Sequence, residues 1–166
     1  MAEITLEGNV CHTNGDLPAV GTKAPDFNLV DSGLNDLSLG DFPGKKKLIS
    51  IVPSLDTGVC AQSTRVFNQR FAGRDDAVAL IVSADLPFAQ SRFCTAEGLD
   101  NVKTLSMMRS RNFAKDYGVL IDDGPLAGIT GRAVVVLDAD DKVVYAQLVP
   151  EITTEPDYEP AIAALG

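Results

Sequence analysis

The chain has 166 residues, of which 45% are hydrophobic, and this is enough for one packed domain over residues 1–166. Its formal net charge of −9 argues against nucleic acid or an anionic membrane as a partner, and no stretch approaches the roughly 18 apolar residues of a membrane span. The N-terminus, MAEITLEGNV, lacks a basic region followed by an apolar one, so we expect no signal peptide and a cytoplasmic protein.

The predicted elements alternate between strands and helices. Short runs at 4–7 and 9–13 predict an N-terminal hairpin, with turn residues at 14–16. The other predicted strands are 46–52, 78–83 and 102–105, with a strand pair at 133–137 and 142–149. The predicted helices are one that has Cys60 in its first turn and ends at about 72, and three others at 87–97, 109–117 and 157–165. Alternation with an antiparallel pair near the end indicates an α/β sandwich.

Cys60 is the best indication of chemistry in the chain, because it falls in the first turn of a predicted helix. Backbone N–H groups there have no intrahelical acceptor, and with the helix dipole they favour the thiolate over the thiol. The thiolate is the nucleophilic form of cysteine, so this position predicts a reactive thiol. The alternative interpretation is a small apolar core residue, since free cysteine is among the most buried residue types.

The residues before Cys60 support the reactive interpretation. Pro53 ends the preceding strand because it has no N–H group for a strand ladder. Asp56 and Thr57 are both favourable residue types for a helix N-cap. Thr57 lies three residues before Cys60, so its hydroxyl shares one face of the turn with the sulfur. That hydroxyl is placed to hydrogen-bond the thiolate or an oxygen of an approaching molecule.

The surroundings of Cys60 also call for a cation. Phe67 follows on the same helical face, so we expect the sulfur to point toward the sheet in a partly dry pocket. Dryness disfavours the thiolate, and a positive charge must offset it. Arg65 is rotated well away on the helix, which leaves Arg132, just ahead of the apolar run at 133–137, as the better candidate.

Cys94 lies on the helix predicted at 87–97. Helical spacing places it on a polar face with Gln90 and Glu97, while Phe93 and Ala96 take the apolar face. We expect an accessible thiol that Glu97 keeps protonated, which makes Cys94 a poor first nucleophile and a reasonable second thiol. The alternative is an idle surface cysteine.

The remaining cysteine and the only histidine predict no further chemistry. Three cysteines are too few for a secreted disulfide framework, and the sequence contains no C-x-x-C motif. Cys11 and His12 form the only Cys/His cluster, and no second ligand pair has usable spacing, so we expect no metal and no cofactor. Cys11 is interpreted as incidental.

Four segments carry a family resemblance. Pro53, Thr57 and Cys60 form Pro-x-x-x-Thr-x-x-Cys, which resembles the active-site signature of peroxiredoxins. The match is closer to the bacterial thiol peroxidase subgroup, an atypical two-cysteine group. It extends over PSLDTGVC, SADLPFAQSRFC (83–94), RAVVVLD (132–138) and EITTEPDYE (151–159), in order and across nearly the whole chain.

This resemblance implies a thioredoxin-like α/β sandwich with a central mixed sheet and an N-terminal β-hairpin. It implies reduction of hydrogen peroxide and of alkyl or lipid hydroperoxides by a homodimer. Cys60 would be the peroxidatic cysteine, Thr57 and Arg132 its polar partners, and Pro53 the shield of the pocket. Cys94 would be the resolving cysteine, in a Cys60–Cys94 disulfide that thioredoxin reduces.

Two other classes of protein remain open. A thiol–disulfide oxidoreductase acting on proteins would suit the fold, but the missing C-x-x-C and the presence of Thr57 argue against it. In a non-catalytic redox sensor, Cys60 would oxidise once to switch a partner, whereas an enzyme would consume many equivalents of peroxide with thioredoxin and its reductase. A disulfide needs Cα atoms within about 7 Å, and two separate helices seldom present cysteines so closely when one of them lines a pocket. We therefore expect local unwinding around Cys60 or Cys94 during the reaction.

Overall fold

The computed structural model describes all 166 residues. The strands are β1 (Glu3–Leu6), β2 (Asn9–His12), β3 (Leu29–Val30), β4 (Asp36–Leu37), β5 (Lys46–Ile51), β6 (Ala77–Ser83), β7 (Lys103–Ser106), β8 (Ala133–Leu137) and β9 (Val143–Leu148). The helices are α1 (Gly58–Arg70), α2 (Pro87–Glu97), α3 (Asn112–Asp116) and α4 (Tyr158–Leu165), with a short 3₁₀-helix at Leu39–Asp41. None of the helices has the length and apolar character needed to cross a membrane.

Strands β1 and β2 form the predicted N-terminal hairpin as a separate antiparallel sheet. Its two-residue turn is Glu7-Gly8, and both residues have positive φ, 51° and 82°. Two central residues with positive φ are the mark of the type I′ turn, which matches the twist of a hairpin. The prediction that residues 14–16 make the turn is wrong, because these residues follow β2. The sequence did not mark the true turn, because Glu7 occupies a positive-φ position that usually favours asparagine or glycine.

The other seven strands form one sheet in the order β4-β3-β7-β6-β5-β8-β9. Strands β5, β6 and β7 are parallel, while β3, β8 and β9 run antiparallel to their inner neighbours. The central mixed sheet is therefore confirmed. Strands β3 and β4 were not predicted, since two residues each are too short to show an alternating pattern.

Alternating side chains divide the sheet into two buried faces. On one face, Leu48 and Val134 pack against Phe67 of α1 and Ala161 of α4. On the other face a larger core forms around Ile49, Ile51, Leu80, Val82, Val135, Phe113 and Tyr117, the last two belonging to α3 and its end. Helices thus cover both faces, as in the predicted α/β sandwich.

Helix α3 is shorter than predicted, since it spans only Asn112–Asp116 instead of 109–117. Gly118 follows it with φ of 69°, and a Cβ atom at this position would overlap the backbone of Asp16. Only glycine satisfies both the positive φ and the close approach. Helix α1 begins at Gly58 after the N-cap Thr57, so Cys60 lies in its first turn, as predicted.

Strand register brings three chain segments to one edge of the sheet. Ile51 at the end of β5 pairs with Ala133 at the start of β8, so the residues just beyond them, Val52 and Arg132, are neighbours. The Val52 N–H donates to the carbonyl of Val82 in β6 at 3.0 Å. The loops after β5 and β6 and the residue before β8 therefore meet there, at the carboxyl ends of the parallel strands, where open α/β sheets commonly hold their ligands.

Candidate active site

Cys60 is the third residue of α1, and its side chain is fully buried. Thr57 is the N-cap, and its carbonyl accepts the first intrahelical hydrogen bond, from Ala61 at 2.9 Å. The backbone N–H groups of Gly58, Val59 and Cys60 have no acceptor within the protein. These donors and the positive end of the helix dipole favour a negative charge at this turn.

Arg132 supplies the cation. Its Nη1 lies 3.2 Å from the sulfur of Cys60, so the two residues that the sequence analysis paired are in contact. Its Nε and Nη2 donate to the carbonyl oxygen of Ile152 at 3.1 and 2.9 Å. The guanidinium is buried, and no carboxylate lies within salt-bridge distance of it. A buried cation requires polar or anionic partners, and the Cys60 sulfur and the Ile152 carbonyl are the groups that contact it.

Glu151 fixes the turn that carries the Ile152 carbonyl. Its carboxylate accepts hydrogen bonds from the hydroxyls of Thr5 and Thr153 and from the backbone N–H of Glu7. These bonds, with that of Thr5 the largest contributor, lower the pKa of Glu151 to about 2. The Ile152 N–H donates to the carbonyl of Thr5 at 2.9 Å. The N-terminal hairpin thereby supports Arg132 through one turn, a role that the sequence analysis missed although Glu151 opens EITTEPDYE.

Thr57 does not contact the sulfur in this conformation. Its hydroxyl donates to the carbonyl of Ser54 at 3.0 Å, and there is no Thr57–Cys60 hydrogen bond. It makes no side-chain capping bond either, and the residue is exposed to solvent. Its two hydroxyl lone pairs remain free to accept a bond from a molecule above the pocket. Pro53 is buried in the loop that joins β5 to α1. Its role in shielding the Cys60 pocket stays a prediction.

The pocket around the sulfur is apolar. Cys60 packs in a buried cluster with Val52, Leu55 and Ile81, and Phe93 of α2 covers part of that cluster. The pocket is thus drier than the partly dry one that was predicted. An apolar wall disfavours a thiolate, and the positive charge of Arg132 beside the sulfur opposes this effect.

A cleft of about 720 Å³ lies outside this wall. Leu55 and Phe93 line the cleft and also pack in or against the Cys60 cluster, so they separate the cleft from the sulfur. The other lining residues are Ser54, Asp56, Asp85, Phe88, Ala89, Arg92 and Ala96. The cleft is mainly apolar on the α2 side and polar on the side of the Cys60 loop.

Cys94 lies half-buried on α2, and all three cysteines are free thiols. Burial, followed by the negative charge of Asp100, raises the pKa of Cys94. The prediction that Glu97 has this effect is wrong. Glu97 instead pairs with Arg65 of α1 through two hydrogen bonds of 2.9 Å, and this pairing lowers its own pKa.

The predicted polar and apolar faces of α2 are also wrong. Gln90, which was placed on the polar face, is fully buried, whereas Ala96, which was placed on the apolar face, is exposed. Phe88, to which the prediction gave no face, is 65% exposed. The Gln90 amide can face the sheet because its Nε2 donates to the Ser83 hydroxyl and to the carbonyl of Leu105, both at 3.0 Å. Acceptors at the strand ends make a polar residue acceptable in a buried position.

Cys11 lies apart from these groups. It is buried with Ile4, Ile121 and Ile152 beneath the N-terminal hairpin. Burial raises the pKa of its thiol, and the charges of Asp123 and Glu151 add to the effect.

The chain is similar to known proteins over its whole length. Residues 19–162 match the family model described as Redoxin. The chain is 54% identical to the thiol peroxidase of Mycobacterium tuberculosis (strain ATCC 25618 / H37Rv) over 166 residues, which cover 100% of this chain and 99% of that protein.

Two solved structures are also similar. A peroxiredoxin-like protein from Aquifex aeolicus has a TM-score of 0.93 and 41% identity, covering 99% of this chain and 96% of that one. A thiol peroxidase from Chromobacterium violaceum has a TM-score of 0.91 and 28% identity, covering 98% of this chain and 94% of that one. The predicted thioredoxin-like fold is confirmed.

Proposed function

The chain belongs to the redoxin family and, within it, to the thiol peroxidases, and we propose that it reduces hydroperoxides with Cys60 as the attacking thiolate and Cys94 as the resolving thiol. The observation that carries this proposal is the 3.2 Å contact between Arg132 Nη1 and the Cys60 sulfur. Unpaired backbone N–H groups at the same helix end add to it. The continuous seven-stranded sheet supports treating residues 1–166 as one domain.

In the first step, the Cys60 thiolate attacks the terminal oxygen of the hydroperoxide. An S–O bond forms, the O–O bond breaks, and the leaving oxygen takes up a proton to depart as alcohol or water. Cys60 is oxidised by two electrons to a sulfenic acid. Arg132 and the free N–H groups of Gly58 and Val59 stabilise charge on the two oxygens, and Thr57 accepts a bond from the peroxide while Pro53 limits access of water.

In the second step, the sulfur of Cys94 attacks the sulfur of the Cys60 sulfenic acid. An S–S bond forms, the S–O bond breaks, and water leaves. Cys60 is fully buried and Cys94 lies on another helix, so the two sulfurs meet only if α1 or α2 unwinds locally. This movement is part of every cycle.

The cleft beside Leu55 supports organic hydroperoxides as substrates in addition to hydrogen peroxide. Phe88, Ala89, Phe93 and Ala96 give its α2 side an apolar surface that suits an alkyl or lipid chain. With the reactive oxygen at Cys60, a chain reaches this cleft only if the side chains of Leu55 and Phe93, which separate it from the sulfur, move aside.

Thioredoxin is the proposed reductant, and a second copy of the chain is the proposed partner in assembly. Thioredoxin reduces the Cys60–Cys94 disulfide by thiol–disulfide exchange and is itself oxidised, and the reaction takes place in the cytoplasm. The protein forms a homodimer, for which the exposed side chains of Leu86, Phe88 and Met108 offer an apolar contact surface. Sedimentation of the wild type and of Phe88→Glu tests the dimer, which the added charge should dissociate.

A coupled assay with thioredoxin, its reductase and NADPH tests the function. Hydrogen peroxide and cumene hydroperoxide are each supplied in large excess over protein, and NADPH oxidation is followed. Many equivalents of NADPH per protein indicate a peroxidase, and Cys60→Ser should abolish the signal while Cys11→Ser retains it. Consumption of a single equivalent would instead identify a redox sensor and contradict the proposal.

A further inference from the structure

The carboxylate of Asp85 joins the loop after β5 to the loop after β6. Its Oδ1 accepts a hydrogen bond from the Ser54 hydroxyl at 2.7 Å. Its Oδ2 accepts from the Leu55 N–H at 2.8 Å and from the Ser83 hydroxyl at 2.7 Å. Hydrogen bonds to an ionised carboxylate are stronger than those between neutral groups. One side chain therefore holds the segment that leads into Cys60.

The segment held by Asp85 determines the shape of the Cys60 pocket. The carbonyl of Ser54 accepts the Thr57 hydroxyl at 3.0 Å, and the Ser54 hydroxyl accepts the Asp56 N–H at 3.1 Å. Leu55 packs directly in the cluster that surrounds the Cys60 sulfur. Moving Ser54 and Leu55 would therefore displace the N-cap of α1 and open the wall of the pocket.

The same carboxylate is linked to the helix that carries Cys94. Asp85 lies two residues before Pro87, the first residue of α2. Ser83, which donates to Asp85, also accepts from Nε2 of Gln90, one turn before Cys94. The Asp85 carboxylate is thus linked directly to the Cys60 loop and, through Ser83, to α2.

We propose that Asp85 is a positioning residue that holds the Cys60 loop on the start of α2 in the conformation that reacts with peroxide, and that its bonds to Ser54 and Leu55 break before Cys60 and Cys94 join. The proposal rests on the proposed function and adds no covalent step to it. Asp85 acts on the two steps in opposite directions: it favours sulfenic acid formation and opposes disulfide formation.

Asp85→Ala separates the two steps. Without the carboxylate, Ser54 and Leu55 lose their anchor, and misplacement of the pocket should slow sulfenic acid formation at least about tenfold. Formation of the Cys60–Cys94 disulfide from the sulfenic acid should be unchanged or faster, because the closed conformation is no longer favoured. Asp85→Asn keeps one acceptor oxygen, and it should restore the first step in part.

Rapid quenching with mass spectrometry measures both steps, since the chain has no tryptophan to report them by fluorescence. One equivalent of hydrogen peroxide is mixed with the reduced protein, and the sulfenic acid and disulfide are quantified over time. Asp31→Ala is the matched control, because the Asp31 carboxylate likewise accepts backbone N–H groups, from Gly33 and Asn35 at 2.9 Å, in a loop remote from both cysteines in sequence. This control should leave both steps at wild-type rates.

Two outcomes would overturn the role of Asp85: a wild-type first step in Asp85→Ala, or equal slowing of both steps, which indicates general loss of structure. If Asp85→Ala does not fold, Ser54→Ala carries the test, because it removes one bond to Asp85 and should slow only the first step, by about threefold. A wild type that forms no sulfenic acid at Cys60 contradicts the proposed function itself, and is distinguishable from either result.

Discussion

The carbonyl oxygen of Ile152 accepts two hydrogen bonds from Arg132, at 3.1 and 2.9 Å, and this leaves Nη1 of the arginine directed at the sulfur of Cys60. A backbone oxygen orients the guanidinium without neutralising it, as a carboxylate would. The full positive charge therefore acts on the sulfur, and on the oxygens that we propose to bind there.

Replacing Arg132 by methionine should lower the rate of peroxide reduction at least about tenfold, equivalent to about 1.4 kcal/mol of barrier. Methionine keeps much of the apolar stem but removes the charge and the donors. Arg132→Lys should recover only part of the rate, since one ammonium lacks the planar fork that bonds Ile152 and Cys60 together. Peroxide consumption under single-turnover conditions measures the effect.

Loss of structure is the main alternative explanation for a slow Arg132 variant. The methionine variant leaves the Ile152 carbonyl without its two donors, which should cost about 1–3 kcal/mol of unfolding free energy. Circular dichroism should still show a folded protein. Near-normal turnover in a folded Arg132→Met protein would contradict the role assigned to the arginine.

Thr57 should act through its hydroxyl. Thr57→Val keeps the shape of the side chain but removes the bond to the Ser54 carbonyl and the hydroxyl lone pairs that we propose accept a bond from the peroxide. We expect peroxide reduction to fall about tenfold in Thr57→Val and to be largely retained in Thr57→Ser. Equal rates in the valine variant and the wild type would assign Thr57 to the loop structure alone.

Cys94 should ionise only at high pH in the folded, reduced protein. Burial, followed by the negative charge of Asp100, raises the pKa of the Cys94 thiol above its ordinary value, so the thiolate forms only at a higher pH than in an exposed cysteine. In a Cys11→Ser, Cys60→Ser background, its alkylation rate should still be rising at pH 9. Asp100→Asn should shift this profile toward lower pH, and a rate that is already level by pH 8 would contradict the burial of Cys94.

Glu151 should contribute to stability in a defined acid range. Its pKa is lowered to about 2 in the folded protein from an ordinary 4.5, so the carboxylate stabilises the fold fully above pH 4.5 and loses this effect as the pH falls toward 2. Urea unfolding of the wild type and Glu151→Gln should therefore differ at pH 7 and converge near pH 2. A constant difference across this range would mean that the charge is not involved.

The sequence predicted those parts of the site that depend on local pattern. The loop from Pro53 to Cys60 and the apolar runs of β5 and β8 show in the residues themselves, and they were enough to select Arg132 over Arg65. The contact itself depends on the antiparallel pairing of Ile51 with Ala133, a register that hydrophobic pattern does not specify for strands buried on both faces.

The parts that were missed depend on tertiary acceptors. The Ile152 carbonyl is a backbone group, so no side chain marks it in the sequence. The sequence predicts that Gln90 is exposed because its side chain is polar. It is buried because the Ser83 hydroxyl and the Leu105 carbonyl, at the strand ends, accept hydrogen bonds from its amide. Of the two bonds considered for the Thr57 hydroxyl, the one to the Cys60 sulfur is absent because the Ser54 carbonyl accepts this hydroxyl. The other, to an oxygen of an approaching molecule, stays a prediction.

The most direct test of the proposed reaction compares the products of one peroxide equivalent in the wild type and in Cys94→Ser. Rapid quenching and peptide mass spectrometry should find a Cys60–Cys94 disulfide in the wild type. In Cys94→Ser they should find a Cys60 sulfenic acid formed at a near-normal rate, with turnover by thioredoxin lost. A Cys11–Cys60 disulfide in the wild type, or full thioredoxin-coupled activity in Cys94→Ser, would contradict the assignment of the two cysteines.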